Sequence, residues 1–402
     1  MTAIQPSLRD YEGVAPPGSV DLLRRLADRV RGRSMLHVNS TRVGGGVVEM
    51  LERYIPLLSE LGLEPRWEVL NGSDEFFHVT KSFHNALQGQ ERDFTDEMLR
   101  AYVETNRANA SRLDLDADAV FIHDPQPAAL IEFAPRRGMW IWRCHIDMSR
   151  PQREAWNFLR RYVTQYDAAV FSLPKYAQRL PLPQFLIHPS IDPLADKNRE
   201  LSDGEVVDVL ARLVVPRDKP ILVQVSRFDR FKDPVGVIEA YRLAKRSDDC
   251  RLVLAGGGAD DDPEGAAVLA DVREAARGDS DIHVLVLPPT AKHEINALQH
   301  AAAIIIQKST REGFGLTVTE GMWKGKPVIG GAAGGIAVQI VDGVTGYTVN
   351  SVEGCAFRIS YLLRNPDAAR RVGQNAREHV RENFLITRDL SEHVALIISL
   401  LR

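Results

Sequence analysis

Residues 303–320 read AIIIQKSTREGFGLTVTE. The apolar run at the start of this stretch predicts a buried strand, and the glycines that follow predict a helix beginning near Phe314. Unpaired backbone N–H groups and aligned peptide dipoles make such a helix start a site for anions. Because a strand that passes directly into a helix is typical of a parallel sheet, the stretch predicts an α/β protein with a phosphate site.

Two glutamates, Glu312 and Glu320, flank this predicted anion site with seven residues between them. Glu320, roughly two turns into the helix, is placed to meet the hydroxyls of a ribose. Glu312, in the preceding loop, is placed to meet the hydroxyls of a sugar. Because a glutamate near a helix start is favourable without any ligand, a structural role is the alternative. The pair indicates a nucleotide-sugar site only together with its neighbours.

Two cations upstream supply those neighbours. Residues 220–226 read PILVQVS, which predicts a buried strand, and the strand opens into a loop that carries Arg227 and Lys232. Ligands of open α/β sheets bind beyond the carboxyl ends of the strands, so both cations are expected where an anion is held. Two cations and one helix start suit a diphosphate.

A glycine run follows an earlier strand. Residues 35–46 read MLHVNSTRVGGG, and an amphipathic helix is predicted after them. In a strand–loop–helix unit, Gly45 and Gly46 let the backbone approach a phosphate or sugar closely, although a plain tight turn explains a glycine run equally well. Nearer the amino terminus, a helix is predicted over residues 19–31 with Ser19 as its N-cap.

Length and composition set limits on the protein class. A chain of 402 residues is too long for one ordinary core and suits two domains of roughly 180 to 200 residues. A net charge of -4 and a pI near 6.3 argue against a nucleic acid partner. The three cysteines lack paired spacing, which fits a reducing cytoplasm. No apolar run approaches the ~20 residues that span a bilayer, so no membrane partner is expected.

Strands alternating with helices predict two Rossmann-like, doubly wound parallel-sheet domains that face a central cleft. We place the domains at 1–192 and 193–402, with the last helices packing either within the second domain or back on the first. The predicted strands lie at 35–39, 119–123, 139–145 and 168–172, and then at 220–226, 251–255, 282–287, 303–307 and 327–329.

Candidates for a second sugar lie in the first half of the chain. Asp124 and Gln126 follow a predicted strand in a proline-held loop, where they are placed to bind the hydroxyls of an acceptor sugar. Trp142 either presents an apolar face to a sugar ring or packs as an ordinary core residue. For His84 and His123, packing or capping is the expected role.

These motifs resemble those of the retaining glycosyltransferases of family 4, which have the two-domain GT-B fold. The resemblance rests on Glu312 and Glu320 with GFGL between them, and on Lys232 five residues after Arg227. In the first half, the chain resembles members that join glucose from a nucleoside diphosphate glucose to free glucose, reversibly giving trehalose. The matching stretches are LHVNS at 36–40, FHNALQG at 83–89, HDPQP at 123–127 and WRCHID at 142–147.

The resemblance implies a role for each matched residue. Arg227 and Lys232 neutralise the leaving diphosphate, Glu320 holds the ribose, and Glu312 holds the hydroxyls of the donor sugar. His145 contacts that sugar near its reacting carbon. The implied catalytic set is His145, Arg227, Lys232 and Glu312, and the implied donor set is Gly45, Gly46, Arg227, Lys232, Gly313, Phe314, Gly315, Leu316 and Glu320. A homodimer is implied by the resemblance alone.

The expected mechanism is same-face attack with retention, because a double displacement needs two carboxyls roughly 5 Å apart across the scissile bond, which this spacing does not ensure. No Asp-x-Asp or His-Glu-x-x-His cluster stands where a catalytic metal would need one, so we expect no cofactor and no catalytic metal. Any stimulation by Mg²⁺ is then expected to come through nucleotide binding. The preferred base, ADP, UDP or GDP, stays open, since Leu287-Pro288-Pro289 departs from the family pattern.

Three alternatives remain at this point. A trehalose phosphorylase using inorganic phosphate shares the cationic loop but has no use for Glu320 as a ribose ligand. A nucleotide-sugar 2-epimerase shares the paired Rossmann halves but lacks the seven-residue glutamate spacing. A non-catalytic sugar-nucleotide sensor is less compatible with the intact set of His145, Arg227 and Lys232.

Overall fold

The computed structural model describes residues 7–43, 45–257 and 263–401. The strands are β1 (Ser34–Asn39), β2 (Glu64–Val69), β3 (Ala119–His123), β4 (Met139–Cys144), β5 (Ala168–Phe171), β6 (Gln184–Leu186), β7 (Ile221–Val225), β8 (Arg251–Gly256), β9 (Ile282–Val286), β10 (Ile304–Gln307), β11 (Val328–Gly331) and β12 (Tyr347–Val349). The helices are α1 (Ser19–Asp28), α2 (Gly46–Glu60), α3 (Asp74–Leu87), α4 (Asp96–Arg112), α5 (Leu130–Phe133), α6 (Arg153–Val163), α7 (Asp203–Arg212), α8 (Pro234–Lys245), α9 (Pro263–Ala276), α10 (Lys292–Ala301), α11 (Leu316–Trp323), α12 (Ile336–Gln339), α13 (Val352–Arg364), α14 (Pro366–Asn383) and α15 (Ile386–Leu400).

The described residues form two compact units. The second unit is Ile191–Leu385, and the first unit comprises the described residues up to Ser190 together with those from Ile386 onward. This division falls two residues from the boundary placed at 192/193, and it puts α15 in the first unit, where α15 packs on α1. Each unit is built around its own parallel sheet.

The first sheet has the strand order β2-β1-β3-β4-β5-β6, and all neighbouring strands are parallel. One of its faces is apolar and forms a core with α3, α4 and α6, because alternate residues such as Leu36, Val120 and Trp142 point to the same side. The strand order reverses between β1 and β3, so the loops after these strands diverge there and leave room for a ligand.

The second sheet has the order β12-β11-β10-β7-β8-β9, again parallel throughout. Its central strands β7 and β10 are fully buried and rich in Ile, Leu and Val, and the sheet packs against α8, α9 and α13. The order reverses between β7 and β10, and ligands of doubly wound sheets bind at such a reversal. The loops after β7 and β10 are those that carry the predicted cations and glutamates.

The two sheets confirm the predicted fold class, and several local predictions need correction. Ser19 is the first residue of α1, and Gly18 is its N-cap. The helix expected near Phe314 begins at Leu316, because Gly315 in the left-handed region (φ 86°) still turns the chain. Glu320 is therefore the fifth residue of α11, little more than one turn from its start.

No helix among residues 7–43, 45–257 and 263–401 combines the length and the apolar character needed to cross a membrane.

Candidate functional site

The loop after β7 is anchored by a hydrogen bond from a side chain of β7 itself. The side-chain amide of Gln224, buried in β7, donates to the backbone carbonyl of Lys232 at 2.8 Å. Asp229 accepts from the backbone N–H of Phe231 at 2.7 Å and opens the short 3-10 helix Arg230–Lys232. These bonds hold the backbone of the loop in place, and with it the backbone of Lys232.

Lys232 and Glu312 meet at the reversal of the second sheet. The Lys232 Nζ lies 2.6 Å from Glu312 Oε2, and the Ser309 hydroxyl donates to the same oxygen at 3.2 Å. The side chains of Lys232 and Glu312 are 17% and 9% exposed. A pair this little exposed is screened weakly by solvent, so it holds the two loops together more firmly than a surface pair.

Asp233 ends this loop in a strained conformation. Its φ of 50° lies in the left-handed region, which favours glycine. The carboxylate offsets that cost, because it caps α8 by accepting from the Gly236 N–H at 3.2 Å and pairs with the Lys308 ammonium. Pro234 then starts α8 at the position where a missing N–H is harmless.

The start of α11 is shaped by a crowded glycine loop. A Cβ on Gly334 (φ 54°) would lie 1.6 Å from the Glu312 carbonyl oxygen, so only glycine lets the backbone pass there. Gln339 also holds the loop before α11 in place. Its buried side-chain amide donates to the Phe314 carbonyl at 2.6 Å and accepts from the Thr319 hydroxyl at 2.6 Å. The loop before α11 is thus fixed on both sides.

Glu320 lies inside the second unit and is only 1% exposed. Lys197 Nζ lies 2.8 Å from Glu320 Oε1, and the Gln299 amide donates to Oε2 at 3.2 Å. A carboxylate has about four acceptor positions, so these two partners leave acceptor capacity for a further donor. Ribose binding by Glu320 stays a prediction.

Arg227 differs from Lys232 in its surroundings. Its side chain is 66% exposed, and its guanidinium lies 3.7 Å from the Asp229 carboxylate. The structure therefore brings Lys232 and Glu312 together but leaves Arg227 at the surface of the loop. A long, exposed guanidinium beyond a strand end has the reach to meet a diphosphate.

The glycine run of the first unit lies at the start of α2. Gly45 is the N-cap, with φ 86° and ψ 158°, and Gly46 is the first helical residue. Apart from its chain neighbours, no atom of the described residues lies within 4 Å of where a Cβ on Gly45 would be, so its backbone is open on that side. Gly44, which completes the run, lies outside the described residues.

The acceptor candidates lie beyond β3. Asp124 (φ 65°) accepts from the His145 backbone N–H at 2.7 Å, and the indole of Trp142 donates to the Asp124 carbonyl at 2.9 Å. Gln126 is partly buried in the same loop. Trp142 itself is fully buried, and its ring packs against Trp156. Of the two roles that the sequence left open for Trp142, the structure therefore supports that of a core residue.

Burial and neighbouring charge set the protonation of this region. Burial raises the pKa of Asp124 to about 6, against a smaller lowering by the His145 N–H and Arg143. Burial, and then the nearby Arg143 guanidinium, holds the pKa of His145 well below its ordinary 6.5. His145 is therefore neutral near pH 7. No group of three or more His, Cys, Asp or Glu among the described residues is arranged to hold a metal ion.

Sequence reasoning missed the residues that support this site. Gln224, Ser309 and Gln339 are buried and bonded to site residues, yet each is a polar side chain without a motif of its own. The available signal was a polar residue within or next to an apolar strand, as at Gln224, since a buried amide needs a partner.

The chain resembles known protein families in sequence and solved structures in fold. The chain matches the family model described as "Trehalose synthase, N-terminal domain" over residues 37–178 and that described as "Glycosyl transferases group 1" over residues 210–379. Among solved structures, the sucrose-phosphate synthase of Thermosynechococcus elongatus has the same fold, with a TM-score of 0.70, 20% identity and coverage of 92% of this chain and 99% of that one. Fold and matched models together define a glycosyltransferase of the GT-B class.

Two relatives narrow the class. The trehalose synthase of Pyrococcus horikoshii is 46% identical over 98% of this chain and 96% of that protein. The trehalose phosphorylase of Pleurotus pulmonarius is 28% identical, over 93% of this chain but 58% of that protein. The chain belongs to the trehalose synthase family of glycosyltransferases.

Proposed function

We propose that the chain transfers glucose, with retention of its configuration, from a nucleoside diphosphate glucose to free glucose and thereby forms trehalose. The observation that carries this proposal is the Lys232–Glu312 pair at 2.6 Å, next to the start of α11 and at the reversal of the second sheet. A cation and a carboxylate side by side suit the two halves of the donor, its diphosphate and its sugar hydroxyls. The 46% identity to a trehalose synthase supports the choice of product.

In this proposal the donor diphosphate binds between Lys232, Arg227 and the main-chain N–H groups near Gly315 and Leu316. As the bond between the sugar C1 and the phosphate oxygen breaks, negative charge grows on the diphosphate. Fixed cations and amides that face this charge stabilise it more in the transition state than in the ground state. Each well-placed donor is worth on the order of 3 to 4 kcal/mol.

The acceptor hydroxyl then attacks C1 from the face that the phosphate leaves. Its proton passes to the departing phosphate oxygen, a new C1–O bond forms, and the nucleoside diphosphate is released. Glu312 orients the donor sugar through its hydroxyls, and His145 contacts the same sugar near C1. Asp124 and Gln126 are proposed to bind the acceptor.

A panel of donors and acceptors tests this function. ADP-, UDP- and GDP-glucose are each incubated with free glucose or glucose 6-phosphate, and the product is analysed by NMR. We expect trehalose with an α linkage from the donor glucose, formed with free glucose. Disaccharide formed only from glucose 6-phosphate would overturn the acceptor, and a β linkage from the donor would overturn retention.

The similarity to a trehalose phosphorylase supports phosphorolysis as a second candidate. Trehalose breakdown is therefore followed with either a nucleoside diphosphate or inorganic phosphate as the co-substrate. We expect the nucleoside diphosphate to support breakdown and phosphate to be inactive.

A further inference from the structure

Three histidines form a row in the first unit. His37 Nδ1 lies 2.9 Å from His123 Nε2, and His123 Nδ1 lies 3.0 Å from His145 Nε2. Neighbouring rings lie edge to edge and are nearly coplanar, with centroids 5.2 Å and 5.3 Å apart and interplanar angles of 24° and 17°. His37 and His123 are buried, whereas His145 is partly exposed. The row therefore leads from the residue proposed to contact the donor sugar into the interior of the unit.

The strand register explains how the row forms. His37 pairs with Phe121 across β1 and β3, and His123 pairs with Arg143 across β3 and β4. Because side chains alternate along a strand, these residues share the sheet face opposite the large apolar core. His145, just after β4, continues the row at the carboxyl edge. Because the arrangement depends on the positions of three separate strands, no single sequence motif predicts it.

The two hydrogen bonds constrain one another. Burial holds the pKa of His37 at about 3, and holds that of His123 and His145 well below 6.5, so all three rings are neutral. A neutral imidazole has one N–H and one lone pair. Two such bonds in series therefore permit two arrangements, in which either every ring is protonated at Nδ1 or every ring is protonated at Nε2.

The inner end of the row favours one of these arrangements. His37 Nε2 is buried and has no hydrogen-bond partner among the described residues. Protonation at Nε2 would leave a buried donor unmet, whereas protonation at Nδ1 leaves only a lone pair unmet. Unmet buried donors are rarer than unmet acceptors. The favoured direction of donation is from His37 to His123 and from His123 to His145.

We propose that His37 and His123 are positioning residues, which hold the ring of His145 in place and keep its proton on Nδ1. His145 then presents an N–H to an oxygen of the donor sugar. The Asp124 carboxylate fixes the backbone of the same residue at 2.7 Å, so ring and backbone are both held. The link to catalysis rests on the proposed function, whereas the tautomer does not.

The tautomer is tested directly on the wild-type protein. Nitrogen-15 NMR of ring-labelled histidines distinguishes a protonated ring nitrogen from an unprotonated one. We expect His37, His123 and His145 all to be protonated at Nδ1. A row protonated at Nε2, or a mixture in which neighbouring rings differ, would overturn the proposal. This readout needs no variant and no turnover.

Kinetics test the consequence for catalysis. His37→Phe keeps a ring stacked on Phe121 but removes the donor to His123, which frees the two outer rings to shift their protons to Nε2. We expect kcat to fall about 10-fold or more with the donor KM changed less than about 3-fold, because a misoriented group costs mainly transition-state binding. His37→Asn, whose amide can donate from the position of Nδ1, is expected to restore most of kcat.

A matched control is His283→Phe, on β9 of the second unit, which is expected to leave kcat unchanged. Equal loss in His37→Phe and His37→Asn with both variants folded would contradict the proposal, as would full activity of His37→Phe. If the wild type forms no disaccharide with any donor, the proposed function fails, while the NMR result still decides the tautomer.

Discussion

Lys232 is the residue whose removal most directly affects the proposed donor site. We predict that Lys232→Ala lowers turnover about 100-fold, because it removes the charge that opposes the leaving diphosphate. Glu312 keeps its bond from the Ser309 hydroxyl, so the fold is expected to survive. Steady-state kinetics, with circular dichroism as the check on folding, measure the effect.

The control for this prediction is Lys219→Ala. Lys219 also pairs with carboxylates, Asp249 and Asp281, but it precedes β7 and lies at the amino-terminal end of the sheet. Its loss is expected to leave turnover unchanged. A Lys232→Ala enzyme as active as Lys219→Ala would show that the β7 loop does not serve the reaction.

Asp124 gives a prediction for pH. Its pKa of about 6 in the folded protein is above the ordinary 3.8, so its contribution to stability is complete below pH 3.8 and is lost as pH rises through 6. Asn accepts from the same N–H, tolerates a positive φ and stays neutral. The rise is about 2 pKa units at about 1.4 kcal/mol each, so Asp124→Asn is expected to raise the free energy of unfolding at pH 8 by up to about 3 kcal/mol.

Urea unfolding at pH 4.5 and pH 8 measures this difference. The gain from Asp124→Asn should be larger at pH 8 than at pH 4.5. A gain that is larger at the lower pH would mean that the carboxylate is stabilised in the folded protein, contrary to its burial.

Single residues show what sequence can reveal about the site. Glu312 and Lys232 were predicted because each stands beyond an apolar strand next to glycines or cations. Their direct contact was not predictable, since the two are eighty residues apart in sequence and meet only through the strand order. The histidine row is hidden for the same reason.

Among the elements, the glycine loop before α12 allows a prediction about stability. Gly334 and Gly343 both have a positive φ, but a Cβ on Gly334 would meet the Glu312 carbonyl, whereas one on Gly343 would meet nothing within 4 Å in the described part of the chain. We expect Gly343→Ala to cost about 1 kcal/mol for the left-handed conformation alone. Gly334→Ala adds overpacking and should cost about 3 kcal/mol.

The same pair of variants tests whether the loop shapes the donor site. Donor affinity, measured by calorimetry with a nucleoside diphosphate glucose, should fall in Gly334→Ala and stay unchanged in Gly343→Ala. Equal stability and equal affinity of the two variants would mean that the crowding against Glu312 has no effect on the site.

Elements differed in how well the sequence predicted them. Buried strands such as β7 and β10 were found because both faces are covered and the run is continuously apolar. The edge strands β2, β6 and β12 were missed. β2 contains Pro65 and two glutamates and is nowhere fully buried, so it gives no apolar run, and β6 and β12 are three residues long.

At the scale of the molecule, two units with separate cores should respond to ligand separately. We predict that a nucleoside diphosphate slows hydrogen exchange in the second unit at residues 226–232 and 308–316. A ligand at 100 times its Kd stabilises the state it binds by about 2.7 kcal/mol. Lys232→Ala should weaken this protection at the same ligand concentration.

Mass spectrometry of exchanged peptides gives the measurement. Protection confined to peptides of the first unit would contradict the assignment of the nucleotide to the second. The strand order supports the assignment, because β7 and β10 flank the only reversal in the described part of the second sheet.

The central claim is that the loops after β7 and β10 bind the diphosphate of a nucleotide sugar. A crystal of the protein soaked with a nucleoside diphosphate glucose tests it most directly. We predict phosphate density within hydrogen-bonding distance of Lys232 and of the backbone N–H groups of Gly315 and Leu316, with Glu312 facing the glucose hydroxyls. Clear density for the nucleotide sugar elsewhere, with these loops unchanged, would contradict the account.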